Sequence, residues 1–164
     1  VGIGWSLAMA SDYIVASHTT LLVGKTSGGE PRKVHEEANT TLQQVLLNDQ
    51  GHYVALTRRG ILVGNVADAA AKRVASESPG TFEGFATGGM NGNWTAETGQ
   101  TRLALNARGQ SAAASGRAVY GGSVADAVAS KLYENAKVGF RQVRLADDGT
   151  FTAVSARNVY RGKL

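Results

Sequence analysis

The sequence predicts an α+β, β-dominated protein: an internal tandem duplication of a strand-turn-strand-strand(-helix) unit, forming two pseudo-equivalent lobes joined by a Gly-rich arm. Three observations predict it. A twenty-residue pattern occurs four times, one offset carries the first two copies onto the last two, and helix-start signals follow two of the copies.

The clearest copy is Leu47 to Val66. It returns at Leu105 to Val124, at Leu145 to Leu164 and, more worn, at Leu7 to Thr26. Each opens with Leu. Three carry Gly at the fifth place (Gly51, Gly109, Gly149) and three carry Arg at the thirteenth (Arg59, Arg117, Arg157). The fifteenth and sixteenth places hold Leu21-Leu22, Ile61-Leu62, Val119-Tyr120 and Val159-Tyr160, and the eighteenth holds Gly24, Gly64, Gly122 and Gly162. The copies step by 40, 58 and 40 residues, so a single shift of 98 maps the first pair onto the second. The same shift matches Lys33 to Ala38 with Lys131 to Ala136, and Gln44 to Gly51 with Gln142 to Gly149. This places lobes at 1–66 and 99–164, with a helix and a connecting arm over 67–98.

Within a copy, Val138 to Leu145 reads as a strand with Val138, Phe140 and, after a register break, Val143 inward. Asp147-Asp148-Gly149 then turns the chain, because the acids can bond nearby backbone and Gly tolerates positive φ. Thr150 to Val154 is rich in β-formers, and Asn158 to Tyr160 gives a further extended piece. Behind the second and third copies, Asn65-Val-Ala-Asp68 and Ser123-Val-Ala-Asp126 have the form of capping boxes. Val66, Ala69, Ala70 and Val74, like Val124, Ala127, Val128 and Leu132, follow at helical spacing, so a helix is expected after each. In the first copy, Ser27 to Pro31 predicts a loop, with any helix delayed to Lys33 onwards. Ser76 to Thr98 holds glycines at 80, 84, 88, 89 and 92 and reads as a long loop or extended arm, with Phe82, Phe85 and Trp94 as its anchors.

Bulk properties narrow the function. At 164 residues the chain can bury a workable core, and no apolar run is long enough for a helix to cross a bilayer. The opening residues have no basic n-region and do not read as a signal peptide. Without cysteine there are neither disulfides nor thiolate metal sites. The net charge of +4 is uneven: bases against acids stand at 5 to 5 over residues 1–66, 2 to 4 over 67–98 and 10 to 4 over 99–164. That field favours an acidic partner, but no groove-reading helix or aromatic-basic interleaving accompanies it, and solvated strand positions explain it better than nucleic-acid binding.

Chemical motifs are sparse. Val23-Gly24-Lys25-Thr26 imitates the end of a phosphate loop, but Thr19 stands where its first Gly belongs, and Gly24 is the repeat's own glycine. His18, His35 and His52 show no metal-ligand spacing, and His35 and His52 exchange for Tyr133 and Thr150 under the 98-residue shift. No catalytic set, cofactor or metal is assigned, and the protein is read as a non-enzyme. The aligned Arg59, Arg117 and Arg157 form the most informative polar set. They suit a hydrogen bond to the turn, a salt bridge to a neighbouring strand, or a repeated contact with a partner.

Two resemblances stand on quoted residues. Gly2-Ile-Gly4 through Leu7-Ala8, Ala10, Asp12 and Ala16 resembles the helix of the crotonase (enoyl-CoA hydratase) family, in which a glycine amide helps to hold a thioester oxyanion. It ends at His18, and the same residues fit the internal repeat. Val138 to Leu164, with Leu-x-x-Asp-Gly, a strand and an apolar pair beside Gly, is similar to β-modules of tailed-bacteriophage capsid decoration (cement) proteins. Leu47 to Gly64 and Leu105 to Gly122 look like weaker versions. That resemblance implies a virion structural protein, assembled in the bacterial cytoplasm. It would form a homo-oligomer such as a trimer on a major capsid or other lattice protein, through Phe82, Phe85 and Trp94 of the arm and the three arginines. The rival reading is a secreted or cell-surface carbohydrate-binding module stacking sugars on Trp5, Trp94, Tyr120 or Tyr160.

Overall fold

The computed structural model describes residues 12–38, 40–76, 102–135 and 137–164. These form four antiparallel sheets, one for each copy of the repeat. The first sheet comprises β1 (Asp12–Ala16), β2 (Thr20–Lys25) and β3 (Arg32–Glu36). The second comprises β4 (Leu42–Leu47), β5 (His52–Thr57), β6 (Gly60–Asn65) and β7 (Lys72–Ser76). The third comprises β8 (Leu103–Leu105), β9 (Gln110–Ala114), β10 (Ala118–Ser123) and β11 (Val128–Glu134), and the fourth β12 (Phe140–Leu145), β13 (Thr150–Ser155) and β14 (Val159–Lys163). Each is a meander in sequence order.

The repeat positions act alike in each sheet. The fifth-place glycines have φ of +80° at Gly51, +79° at Gly109 and +87° at Gly149, a conformation that costs a residue with a Cβ about 1 kcal/mol or more. Each donates to the second-place carbonyl (Asn48, Asn106, Ala146) at 3.1 Å, and its own carbonyl accepts from Val66, Val124 or Leu164. The eighteenth-place glycines make room for rings. Tyr13 pairs with Gly24, Tyr53 with Gly64 and Phe151 with Gly162, and each ring fills the space a side chain on that glycine would need. In the third sheet Ser111 holds the aromatic position, and the Val128 backbone crowds Gly122 instead. Phe140 and Val143 both point inward because the register shifts between Phe140 and Gln142, as the sequence predicts.

The expected helices are strands, so the α+β assignment is corrected: no described residue is helical. Asn65 and Asp68 do make cap-like bonds. Asn65 N–H donates to Asp68 Oδ2 at 3.0 Å, Ala67 N–H donates to Asn65 Oδ1, and Asp126 N–H donates to Ser123 Oγ. A short polar side chain closing on its own backbone serves a tight turn as well as a helix start. The chain then re-enters the sheet, where Lys72–Ser76 pairs with β6 and Val128–Glu134 with β10. Residues from Lys33 likewise lie in β3, and Asp12–Ala16 of the crotonase-like stretch form β1, a strand where that resemblance implies helix.

The sheets pack face to face in series around the first strands. β4 lies against β1, β8 against β4 and β5, and β12 against β8 and β9, while β7 and β11 touch farther out. Three apolar clusters fill the joins. Leu21, Val23 and Val34 meet Leu42, Tyr53, Ala55 and Leu62. Val54, Leu56, Ile61 and Val63 meet Leu103, Ala113 and Tyr120. Ala112, Ala114 and Val119 meet Phe140, Val143, Phe151 and Ala153. Successive meanders stacked radially in this way are the blades of a propeller-like architecture. Among the described residues, no strand takes the place beside β14 that β7 and β11 take beside β6 and β10.

Candidate binding face

Strand alternation sorts the connections onto two rims. One rim carries the tight turns β1–β2, β5–β6, β9–β10 and β13–β14 together with the links at 37–41 and 135–139. The opposite rim carries the glycine turns and the links leading into β3, β7 and β11. Among the described residues, the opposite rim is mixed: it holds Asp12, Glu30, Asp49, Asp68, Asp126, Asp147 and Asp148 together with Lys25, Arg32, Arg108 and Lys163. The tight-turn rim holds Arg58, Arg59, Arg117, Lys137 and Arg157, all exposed.

Each tight turn is built by a hydroxyl. The eleventh place of every copy is Ser or Thr: Ser17, Thr57, Ser115 and Ser155. Thr57 Oγ1 accepts the Arg59 N–H at 3.1 Å. Ser115 Oγ accepts Arg117 N–H at 3.2 Å and Ala118 N–H at 2.9 Å, and Ser155 Oγ accepts Arg157 N–H at 3.3 Å and Asn158 N–H at 2.9 Å. Each hydroxyl donates back to a carbonyl three residues on, at Gly60, Ala118 and Asn158. The hydroxyls bind the backbone N–H of the three arginines, which any residue but Pro would offer, and leave their side chains exposed at the rim. The recurring hydroxyl was the signal for this turn and is not part of the sequence reading.

The side chains differ in partner. Glu37, at the end of the first sheet, pairs with Arg73 of β7 and lies 3.9 Å from Arg59 and 3.4 Å from His35. Its counterpart under the 98-residue shift is Asn135, whose N–H donates to Arg117 O at 2.8 Å just as Glu37 N–H donates to Thr19 O at 3.0 Å. With Asn in place of the acid, Arg157, the counterpart of Arg59, has no ion pair among the described residues, and neither has Arg117. Beside Arg157 lies a cleft of about 220 Å³ lined by Lys137, Val138, Gly139 and Ser155 to Asn158. Of the bases of the second half, Arg117, Lys137 and Arg157 lie at this rim, whereas Arg108 and Lys163 lie at the opposite one.

Other expectations meet the structure differently. Arg102, counted among the solvated bases, is buried beneath this rim, where Nη2 donates to Phe140 O at 3.1 Å and burial pushes its guanidinium down to about 8. Tyr120 is buried in the core and offers no stacking surface, whereas Tyr160 packs against Tyr133 and Phe140 with centroids 4.7 and 5.3 Å away. Gly24, of the phosphate-loop mimic, lies in β2 beneath the Tyr13 ring. The three histidines are dispersed: His18 at a tight turn, His35 on Glu37 and His52 against Gly109. Phe82, Phe85 and Trp94 lie outside the described residues, as does Trp5.

No protein-family model and no curated sequence matches the chain. Solved structures do match in shape. The computationally designed Ika4 protein aligns with a TM-score of 0.62 at 8% identity over 92% of this chain and 84% of its own. A chain of the Mitotic Checkpoint Complex aligns with a TM-score of 0.62 at 14% identity over 94% of this chain, and a chain in the structure of YCF48 bound to a D1 peptide with 0.50 at 9% over 94%. This chain spans 44% and 48% of those two, less than half of either. Identities this low speak for a shared fold alone.

Proposed function

We propose that this chain is an assembly protein, a non-catalytic blade scaffold whose tight-turn rim docks on an acidic protein surface. The carrying observation is the row of exposed Arg59, Arg117 and Arg157 on three equivalent turns, each turn closed by a hydroxyl on the Arg backbone N–H. Repetition at sheet spacing suits a partner that is extended or itself repeated, and Arg at the rim of an interface governs encounter and orientation. A capsid or other lattice protein, the partner that the sequence resemblance implies, is a surface of this kind.

The test is binding to immobilised poly-glutamate at low salt. Charge reversal of Arg117 and Arg157 together to Glu should weaken it roughly tenfold or more, and the matched double reversal of Arg108 and Lys163 on the opposite rim should change it little. Equal loss from both rims would mean that net charge alone is being read, and would overturn the assignment of a docking face.

A further inference from the structure

The repeat gives every sheet a forward face, turned to the sheet that follows, and a backward face. Leu21, Ile61, Val119 and Val159 occupy one repeat position on the forward face. The first three are covered by the next sheet, at 0, 2 and 0% exposure, whereas Val159 is 69% exposed. Val15, Ala55, Ala113 and Ala153 share one position on the backward face. The last three are buried at 0, 2 and 0%, whereas Val15 is 47% exposed and is the only one of the four with a branched chain. The three apolar clusters join first to second, second to third and third to fourth sheets; none among the described residues joins fourth to first. A chain of polar staples has the same direction. Asn48 Nδ2 donates to Asn106 O at 3.1 Å, and Asn106 Nδ2 donates to Ala146 O at 3.0 Å. At Ala146 there is no amide to carry it on.

We propose that two copies of this chain pack head to tail, the forward face of each fourth sheet on the backward face of the other copy's first sheet, closing a ring of eight blades. A second copy is the occupant because the missing contact continues an interface the molecule already makes three times. The surface Thr152, Val154, Val159 and Arg161 is equivalent to the one that Val54, Leu56, Ile61 and Val63 present to the third sheet, and Val15 and Leu22 are equivalent to two of its receivers, Ala113 and Tyr120. The Arg161 stem can cover apolar surface while its head stays wet. Heterologous contacts close when the rotation allows, and eight blades lie within the range that such rings adopt.

The decisive measurement is the mass in solution, by sedimentation equilibrium over a wide concentration range. The expected value is twice the 17.1 kDa of the chain, and a monomer throughout overturns the proposal. Val159→Asp and Val15→Asp each place a charge on an exposed position, so strand content by circular dichroism should persist while each variant alone sediments as a monomer. An equal mixture of the two recovers association through one unmutated interface, giving a pair weaker than the parent dimer because its second interface sets two charges face to face. A dimer that survives Val15→Asp alone would be a symmetric pairing of fourth sheets and would equally overturn the head-to-tail ring. None of these readings depends on an acidic partner.

Discussion

The Tyr53 ring occupies the space a Gly64 side chain would fill, and its hydroxyl is buried with no hydrogen-bond partner among the described residues. Burial, with the negative charge of Asp68 adding to it, pushes the phenol up to about 12 from its ordinary 10. The folded protein therefore holds this proton longer than the unfolded chain does. The contribution is fully present below pH 10 and is lost as pH rises from 10 through 12, on the order of 2 kcal/mol in all. Tyr53→Phe should remove this alkaline loss and, by deleting an unsatisfied buried hydroxyl, stabilise the neutral protein by about 1 kcal/mol. Urea titrations at pH 8 and above pH 10 would show both effects; a variant as alkali-sensitive as the parent would assign the loss to another group. The glycine at place eighteen was visible in the sequence, but its cause was not, because the pairing that brings Tyr53 over it exists only once the strands are in register.

At the scale of the element, the tight turns make a graded comparison possible. Ser115 is wholly buried and its hydroxyl holds two N–H groups, whereas Ser155 makes the same bonds closer to solvent. Ser115→Ala should cost about 1–2 kcal/mol, with the orphaned Arg117 and Ala118 amides supplying most of it, and Ser155→Ala should cost less than half as much because water can replace the hydroxyl. Thermal or urea unfolding of the two variants checks the order. The three strands of each unit, their turns and the inward Phe140 and Val143 were legible because alternation and turn chemistry are local. The fourth strand was not. Asn65-Val-Ala-Asp68 satisfies a helix start and a β-turn with the same bonds, and Val74 and Leu132 sit at spacings common to both. What decided the outcome was the edges of β6 and β10, whose backbone groups a strand completes and a helix would leave unpaired. A hint was present: Lys33-Val34, Arg73-Val74 and Lys131-Leu132 share one offset within their copies.

Over the whole molecule, packing is sequential, with each sheet resting on its neighbours in the chain. Such arrays behave as nearest-neighbour stacks. Ile61 sits at the middle join, so Ile61→Ala should cost about 2–4 kcal/mol and also loosen the coupling between the first and second pairs of sheets. The urea transition should then broaden, with a smaller apparent m-value; an unchanged slope would mean that the halves unfold together through contacts other than this cluster. The rim of arginines is an effect of the same order. The count of bases in the second half was read directly from the sequence, but that Arg117, Lys137 and Arg157 share a rim, while Arg108 and Lys163 stand on the other and Arg102 is buried, required the strand topology.

Among the described residues no strand pairs with the outer edge of β14, and an unpaired edge is the kind of template on which sheets grow without limit. Arg161 and Lys163 stand on that strand and are exposed. Two copies laid edge to edge would bring these like charges together, so the cations act as gatekeepers against fibre growth. Such protection is electrostatic and therefore conditional: concentrated salt, or neutralisation of both residues, should raise the tendency of this border to pair with another copy.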